Sequence, residues 1–338
     1  MRIRGAAIQG GLAAIGLLAA YTTWQRAPAS PPGEVVVLDV NQGDVSKIRF
    51  EDGKKWVEIE QQKGDSGPEM WMRLSADEKA KKPERMVRGN DGAEKLFAKF
   101  APLMAARALG PQSGAKLKEL GLDAPKKKLE VTARGDTHTF SVGTSPFNVS
   151  EPYVMDERDH HVYVLTSGVI SDLDAAAIRL VDRSLHAFKP GDYDAVTLSV
   201  GKKSRDLVVI PGANPFLSKL ASQKTPTKPD EMAKNWHDKL WRLYLTEILG
   251  KGEKPEGGEP QIALKIEYRS RGKALGFVEI GRGAAPAPST EKNASMPKPV
   301  TPPAAPIYAR SEHTAGWVKL PPSADDLIKE ADKIVSGE

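Results

Sequence analysis

The order in which short alternating segments follow one another constrains the fold of this chain most strongly. Between 45 and 190, alternating segments are followed by a helical pattern, two hairpin patterns and a last helical pattern. The same order recurs from 191: "ALKIEYRSRGKALGFVEIG" at 263–281 matches "KKLEVTARGDTHTFSVG" at 127–143. Period-two alternation is typical of half-buried strands, and hairpin-length turns favour antiparallel pairing. The sequence predicts an α+β protein with two copies of a mainly antiparallel strand–helix–strand unit behind an N-terminal transmembrane helix.

The predicted organisation follows from these patterns and from composition. We expect an N-terminal transmembrane anchor at 1–26, an extended linker at 27–44, a first repeat unit at 45–190 and a second at 191–335, which carries a Pro/Ala-rich insertion at 282–304. The prolines of "RAPASPPGE" favour an extended spacer, and the insertion has no apolar periodicity. Whether the copies form two domains or one continuous sheet stays open.

The first apolar run, 5–24, is uncharged and has about the ~20 residues that are needed to cross a bilayer core. Arg2 and Arg4 precede it, and an aromatic pair stands near its far end. The positive-inside rule then predicts a single-pass protein of the inner (cytoplasmic) membrane, with its N-terminus in the cytoplasm and its C-terminal module in the periplasm or extracytoplasmic space. A cleaved signal peptide is the alternative, because small residues suited to cleavage occur at 18–20 and 27–29.

Composition excludes several classes of site. The 338 residues contain no cysteine, so disulfides, thiolate metal sites, a cysteine nucleophile and an acylated-cysteine anchor are ruled out. The net charge of +5 comes from 49 basic and 44 acidic residues spread along the chain, which argues only weakly for nucleic acid. Nucleic acid is therefore not an expected partner.

Three helices and one turn are predicted in detail. Residues 91–110 read as one helix with a capping box at Asp91 and Glu94 and a kink at Pro102. Ser167 can cap a helix that starts at 168. The helix predicted within 229–250 has an apolar stripe: Met232, Trp236, Leu240, Leu243 and Ile248.

The segment "KELGLDAP" reads as the end of a helix. Gly121 supplies a left-handed cap, Leu122 packs back onto the last turn, and Pro125 prevents the helix from resuming. The hairpin that follows has four predicted core positions: Leu129, Val131, Phe140 and Val142.

Residues that could carry chemistry are few. Ser145 begins a pattern like a nucleophile elbow, but the second glycine is missing. His160 and His161 are adjacent on a strand and point to opposite faces, which does not suit a shared metal. The acidic run at 156–159 and the "RGD" at 134–136 are predicted hairpin turns. We therefore predict no catalytic residues, no cofactor-binding residues, no metal ligands and no cofactor.

The aromatic residues are more informative. Trp236, Trp241 and Tyr244 share one predicted helix, and Trp56 and Trp71 lie on early strands. Spacing assigns Trp236 to the core, whereas Trp241 projects from another side. Trp241 is either a core residue or an anchor for the other copy or a partner, since large aromatics dominate interface energetics.

A set of short motifs resembles one bacterial family, the domain-of-unknown-function family numbered 4340. The residues that carry the resemblance are Gly121, Leu122, Asp123 and Pro125, then Val142 and Gly143, then Tyr153 and Val154, and finally Val162, Tyr163 and Val164. The resemblance implies a membrane anchor, duplicated units and an association with auxiliary parts of ABC-type transporters, including those tied to gliding motility. The second copy departs from the pattern, because no "GLD.P" turn precedes Ile262.

These observations lead to one expected function and two alternatives. We expect a non-enzymatic, membrane-anchored scaffold or adaptor, an accessory of an ABC-transporter-like or motility-related complex, with the membrane and envelope proteins as partners. The first alternative is a periplasmic glycan- or peptide-binding module that uses a cleft between the copies. The second, a hydrolase of envelope polymer, needs paired carboxylates or a serine constellation. A cleft lined by tryptophan and acids would favour ligand capture, and a flat apolar patch would favour a protein partner. The oligomeric state is open.

Overall fold

The computed structural model describes residues 33–64, 67–77, 82–285 and 304–337. Within those ranges the chain forms two sheets, in which every strand pairing is antiparallel, and a few helices. The predicted membrane segment at 5–24 lies outside the described residues, as does most of the insertion at 282–304. No described helix has both the length and the apolar character needed to cross a bilayer.

The first sheet has ten strands in the described part of the chain, in the spatial order β1-β6-β10-β9-β8-β7-β2-β3-β4-β5. Its strands are β1 (Val35–Leu38), β2 (Val45–Glu51), β3 (Trp56–Gly64), β4 (Gly67–Leu74), β5 (Arg85–Arg88), β6 (Leu103–Pro111), β7 (Lys127–Ala133), β8 (Asp136–Val142), β9 (Tyr153–Asp156) and β10 (His161–Leu165). Its helices are α1 (Asp91–Ala98), α2 (Ala115–Glu119), α3 (Ile170–Asp174) and α4 (Ala176–Arg179). β1 lies inside the segment 27–44 that was predicted to be linker, because its backbone pairs with β6.

The second sheet has eight described strands in the order β13-β12-β11-β15-β16-β17-β18-β14. They are β11 (Ala195–Val200), β12 (Lys203–Ile210), β13 (Lys219–Ser222), β14 (Glu247–Ile248), β15 (Gln261–Ser270), β16 (Lys273–Arg282), β17 (Ile307–Ser311) and β18 (Val318–Leu320). Two helices accompany it, α5 (Glu231–Trp241) and α6 (Ala324–Ser336), and they pack on each other.

The prediction of one long helix at 91–110 is wrong. α1 ends at Ala98, and the alanine-rich stretch after Pro102 forms strand β6. Proline has no N–H to continue the helical ladder. β6 is paired on both sides, with β1 and β10, so ladder hydrogen bonds outweigh the helix propensity of its alanines. The cap also differs from the predicted box: the side chain of Asn90 accepts from the N–H groups of Gly92 and Ala93.

The helix predicted within 229–250 is shorter than its apolar pattern. α5 ends at Trp241, and Ile248 lies in strand β14. Met232 is 44% exposed, so the buried stripe contains Trp236 and Leu240 but not Met232. The apolar residues beyond 241 follow strand and loop geometry rather than one helical face.

The turn after α2 is confirmed. Gly121 has φ +69°, and the N–H of Leu122 donates to the carbonyl of Leu117 at 2.8 Å. Leu122 is buried, as the cap motif requires. The hairpin β7–β8 is also confirmed, and its four predicted core residues, Leu129, Val131, Phe140 and Val142, are all buried.

A buried carboxylate holds the start of α3, where Ser167 was the predicted cap. Glu151 is only 2% exposed. Its carboxylate accepts from the N–H of Gly168 at 2.9 Å and from the N–H of Ile170 at 2.8 Å. It also accepts from the hydroxyl of Ser171 at 2.8 Å. Helix-start N–H groups need acceptors, and a carboxylate is the strongest one available. The Ser167 prediction is therefore wrong.

Each sheet has its own hydrophobic core. The first core contains Phe50, Phe97 and Phe140, and the second contains Trp236 and Tyr268. Ile248 of β14 packs against both cores. The junction between the sheets is thus apolar at that residue.

Candidate functional site: a cleft between the two sheets

The two sheets meet along the outer edge of β5. The N–H of Lys251 donates to the carbonyl of Met86 at 2.7 Å, and the N–H of Asp182 donates to the carbonyl of Arg88 at 2.9 Å. Gly250 lies so close that an added Cβ would be 3.0 Å from the nitrogen of Met86. Because exposed edges invite unspecific pairing, these contacts protect β5. The contacts of Gly250 and Lys251, which follow β14, also fix the second sheet against it, whereas Asp182 lies in the segment between α4 and β11.

Ion pairs reinforce this junction. Arg85 contacts Glu247 at 3.0 Å and Glu253 at 2.7 Å, and its side chain is 12% exposed. Burial by itself lowers the pKa of Arg85, but hydrogen bonds to Glu253 and Glu247 outweigh it, so the pKa is raised. The guanidinium is therefore a charged clamp between β5 and the second sheet.

We expect Arg85→Met to lower the free energy of unfolding by about 1–2 kcal/mol, since two carboxylates lose their shared cation in a half-buried place. Urea unfolding measures this. Arg134→Met is the control, because Arg134 pairs with Asp44 on the surface with 57% of its side chain exposed. Equal losses in the two variants would show that the Arg85 contacts add nothing beyond a surface pair.

A cleft of about 260 Å³ opens beside the junction. Its apolar lining includes Phe50, Val57, Val87, Leu173 and Ile248. Both sheets contribute, since Thr246, Glu247 and Ile248 belong to the segment around β14 and the others to the first sheet and its helices. The cleft is therefore a product of the way the sheets meet.

The rim of the cleft carries both signs of charge. The acids are Asp52, Asp77, Asp174 and Glu247, and the cations are Lys55, Lys82, Arg85 and Arg183. Lys55 lies 3.9 Å from Asp77, and Lys82 lies 3.9 Å from Glu247. The guanidinium of Arg183 is exposed and has no ion pair or side-chain hydrogen bond within the described ranges. The rim can thus meet a ligand that bears both charges.

Every carboxylate on the rim has a partner. Asp52 accepts from the N–H groups of Lys54 at 2.9 Å and Lys55 at 2.7 Å. Burial alone raises the pKa of Asp52, but those backbone hydrogen bonds outweigh it, and its pKa lies below the usual range. Asp174 contacts Lys127 at 3.2 Å. General acid catalysis needs a carboxyl that stays protonated near neutral pH, and Asp52 is the opposite case.

Trp56 lines the cleft but one face of its ring is taken. The guanidinium carbon of Arg49 lies 4.3 Å from the ring centroid. Arg49 is held there by Glu51 at 3.5 Å and Glu58 at 3.6 Å. One of the two faces of the Trp56 ring is therefore already occupied by a cation.

The polar residues considered from sequence lie apart from the cleft. Ser145 is on an exposed loop, and its hydroxyl lies 3.5 Å from the carbonyl of Ser150. His160 is in a turn with φ +60°, and His161 pairs with Asp159 at 2.9 Å. Among the described residues, no group of three or more His, Cys, Asp or Glu side chains is placed to hold a metal. The "RGD" stretch forms the β7–β8 turn, with Arg134 at φ +52°.

The aromatic predictions have mixed outcomes. Trp236 is a core residue as predicted, 1% exposed, and its indole N–H donates to the carbonyl of Leu327 at 2.8 Å. Trp71 is buried at the junction, with Arg88 at 4.9 Å and Lys251 at 5.0 Å from its ring centroid. Tyr244 is 65% exposed. Trp71 thus joins cations from both sides of the junction, which no sequence pattern indicated.

Trp241 packs inside the second sheet's own aromatic cluster. Its ring is stacked on Tyr193 at 6.2 Å and lies 5.1 Å from His186 and 6.1 Å from Phe188. The ring is half-buried, so it is neither wholly core nor free. Of the two interpretations offered by the sequence, packing within its own unit describes these contacts.

Beside Trp241 lies a buried histidine that sequence reasoning missed. The Nε2 atom of His237 accepts from the indole N–H of Trp241 at 3.2 Å, and the hydroxyls of Tyr268 and Tyr193 lie 3.4 and 3.5 Å away. An indole N–H can only donate, so Nε2 carries no proton. Burial lowers the pKa of His237 to about 4, and the imidazole is neutral at pH 7. The i,i+4 spacing from Trp241 was the one available signal.

This histidine makes stability depend on pH. The pKa of about 4 in the folded state lies below the value of 6.5 for a free side chain, so the unfolded chain binds more protons between those values. The stabilisation is complete above pH 6.5 and is lost as the pH falls toward 4. Between pH 7 and pH 5 we expect the free energy of unfolding of the unsubstituted chain to fall by about 2 kcal/mol more than that of His237→Gln. Glutamine keeps a hydrogen-bond acceptor at this position but does not titrate. Denaturant unfolding at both pH values measures this; parallel losses would contradict it.

The molecule thus belongs to a class defined by two antiparallel sheets, with few helices, that meet at a charged and apolar cleft. The family model described as domain of unknown function (DUF4340) matches residues 90–248. The match runs from the N-cap of α1 to β14 and so includes parts of both sheets. The family resemblance found in the sequence is confirmed. Neither a curated protein nor a solved structure gives a match.

Proposed function

We propose that the chain is a non-enzymatic, membrane-anchored adaptor of the cell envelope whose inter-sheet cleft binds a peptide segment of a protein partner. The observation that carries this proposal is the cleft itself, which combines an apolar floor with a rim of four acids and four cations. A peptide can place an apolar side chain on such a floor and its flanking charges on such a rim. The floor residue Ile248 and the rim residue Glu247 come from the second sheet. A peptide bound in the cleft would therefore contact both sheets at their junction.

A peptide suits the cleft better than a glycan does. Sugar recognition relies on open aromatic faces and several free polar groups, whereas Arg49 covers one face of Trp56 and every rim carboxylate already has a partner. The floor residues Val57, Val87 and Leu173 are aliphatic, which favours aliphatic or aromatic side chains.

Catalysis is a weaker reading of the same geometry. A polymer hydrolase needs one protonated and one ionised carboxyl near each other. The carboxyl of Asp52 is held ionised by backbone N–H groups, and Glu247 lies 3.0 Å from a guanidinium. This arrangement supports binding.

We further propose that the two sheets are copies of one unit. In support, the first sheet contains the order β3-β2-β7-β8-β9-β10-β6 and the second contains β12-β11-β15-β16-β17-β18-β14. The central hairpin of each turns at Arg-Gly with positive φ, +52° and +85° at Arg134 and Gly135, and +51° and +77° at Arg271 and Gly272. A cleft at the junction of two copies is a common place for ligands.

In this proposal the segment 1–26 confines the module to the outer face of the inner membrane. Confinement raises the effective concentration of the cleft near membrane proteins, which makes a weak peptide contact sufficient. The family resemblance favours a subunit of an ABC-type transporter or motility complex as the protein that provides the peptide.

The test is photo-crosslinking in membranes of the native host. A benzophenone amino acid replaces Ala177, an exposed residue of α4 on the cleft rim, or Ala98, an exposed residue of α1 that does not line the cleft. We expect one discrete adduct with a membrane protein from position 177 and none from position 98. Leu74→Arg, which places a charge in the cleft wall, should abolish the adduct.

A second arm uses the chain without residues 1–26. Loss of the adduct in that chain would support the anchored adaptor. Equal labelling from positions 177 and 98, or adducts with polysaccharide alone, would contradict the proposal. If the adduct persisted without residues 1–26, the peptide site would be supported and the proposed role of the anchor would be contradicted.

A further inference from the structure

A second cavity, of about 160 Å³, lies between α5 and the strands β12 and β13, away from the inter-sheet cleft. Its apolar walls come from Val209, Leu220, Pro190 and Pro215, and its floor comes from Tyr193 and Trp241. A cavity of about 150 Å³ accommodates one benzene ring. The cavity thus has room for one six-membered ring and a small substituent.

The aromatic floor is flat and has little hydrogen-bonding capacity left. The rings of Trp241 and Tyr193 are parallel to within 6° at 6.2 Å. The indole N–H is used by the neutral imidazole of His237 at 3.2 Å. A planar, apolar ring can pack against such a surface, whereas a polyhydroxylated ring would leave most of its hydroxyls without partners.

The rim of this cavity has a surplus of positive charge. Lys219, Lys234 and Arg242 line it, and Asp238 is its one lining acid. Lys234 is neutralised by Asp238 at 2.7 Å, and Lys219 lies 3.2 Å from Glu231. The guanidinium of Arg242 has no ion pair or hydrogen bond in the part of the chain that the structure describes. An anionic group is the charge that this rim can take.

We propose that this cavity binds a small aromatic carboxylate, with its ring on Trp241 and its carboxylate on Arg242. A planar guanidinium binds a carboxylate through two parallel hydrogen bonds, which also orients the ring toward the floor. The site is independent of the inter-sheet cleft, because the two cavities share no lining residue.

Calorimetric titration of the purified full-length chain tests the proposal. The probes are benzoate and phenylacetate, with benzamide and phenylacetamide as their uncharged partners, and glucuronate as a carboxylate on a sugar ring. We expect at least one aromatic carboxylate to bind about 10-fold or more tightly than its amide, the difference that one charge-assisted contact supplies. Glucuronate should bind no more tightly than the amides.

Two variants localise the binding. Arg242→Ala should lower the affinity for the aromatic carboxylate by about 10-fold and leave the affinity for the amide unchanged. Arg183→Ala is the matched control, since Arg183 is also an exposed arginine without a partner among the described residues but lines the other cleft. The proposal is overturned if no carboxylate binds at millimolar concentration, if carboxylate and amide bind equally, or if the two arginine variants bind alike.

Discussion

Trp236→Ala is expected to lower the free energy of unfolding by about 3–5 kcal/mol, the usual range for removing a buried large aromatic side chain. Trp236 is 1% exposed and is the largest fully buried side chain of the second core in the described part of the chain. Its N–H also donates to the carbonyl of Leu327 at 2.8 Å, which ties α5 to α6. The substitution leaves a cavity and removes the hydrogen bond between the two helices, and urea unfolding followed by circular dichroism measures the sum.

Two further variants separate these contributions. Trp236→Phe keeps most of the ring volume but loses the hydrogen bond, and should lower the free energy of unfolding by about 1–2 kcal/mol. Tyr244→Ala, at a residue that is 65% exposed, should change it by less than about 0.5 kcal/mol. If Trp236→Ala were no worse than Tyr244→Ala, the placement of Trp236 in the core would be wrong.

Glu151→Ala is expected to lower the free energy of unfolding by about 2–4 kcal/mol, because two helix-start N–H groups and one hydroxyl lose their only acceptor in a buried place. The three donors belong to Gly168, Ile170 and Ser171, so the first turn of α3 should loosen. Amide hydrogen exchange at Ile170 gives a local readout beside global unfolding.

Glu151→Gln is the conservative variant, since an amide oxygen can still accept from part of the set, and about half the loss is expected. Glu157→Ala is the matched control: Glu157 accepts from Ser141 at 3.0 Å, but it is exposed. The capping role would be contradicted if amide exchange at Ile170 became faster in Glu157→Ala, or if it did not become faster in Glu151→Ala.

The hairpins were the easiest part of the fold to predict. In β7 and β8 the alternation alone identified Leu129, Val131, Phe140 and Val142 as core residues, because successive strand residues face opposite sides. The turn at Gly121 was equally readable, because a glycine that ends a helical pattern shortly before a proline, here Pro125, is typical of a left-handed cap, and its φ of +69° agrees. These features depend on neighbours within a few residues.

Predictions that depended on distant contacts failed. The stretch after Pro102 has helix-forming alanines, yet it pairs with β1 and β10 from both sides as β6. The cap of α3 comes from Glu151, which precedes Gly168 by 17 residues and lies in the loop before β9. No local pattern reports such partners, because each is chosen by the pairing of whole strands.

The inter-sheet cleft was beyond sequence reasoning for the same reason. Arg85 and Glu247 lie 162 positions apart, and in the sequence each is one charged residue among many. Their meeting follows from the covered edge of β5 and from the packing of Ile248 into both cores.

By itself the amino-acid sequence determined the family resemblance, the central hairpins and the absence of cysteine chemistry. The tertiary structure alone decided which strand edges are covered, which carboxylates and cations face each other, and where cavities remain. The physical reason is the distance along the chain between the residues that interact. Strand alternation and the helix cap at Gly121 are set by residues close in sequence. The cleft and the aromatic cavity form only when segments far apart in the chain pack together and bury their apolar faces.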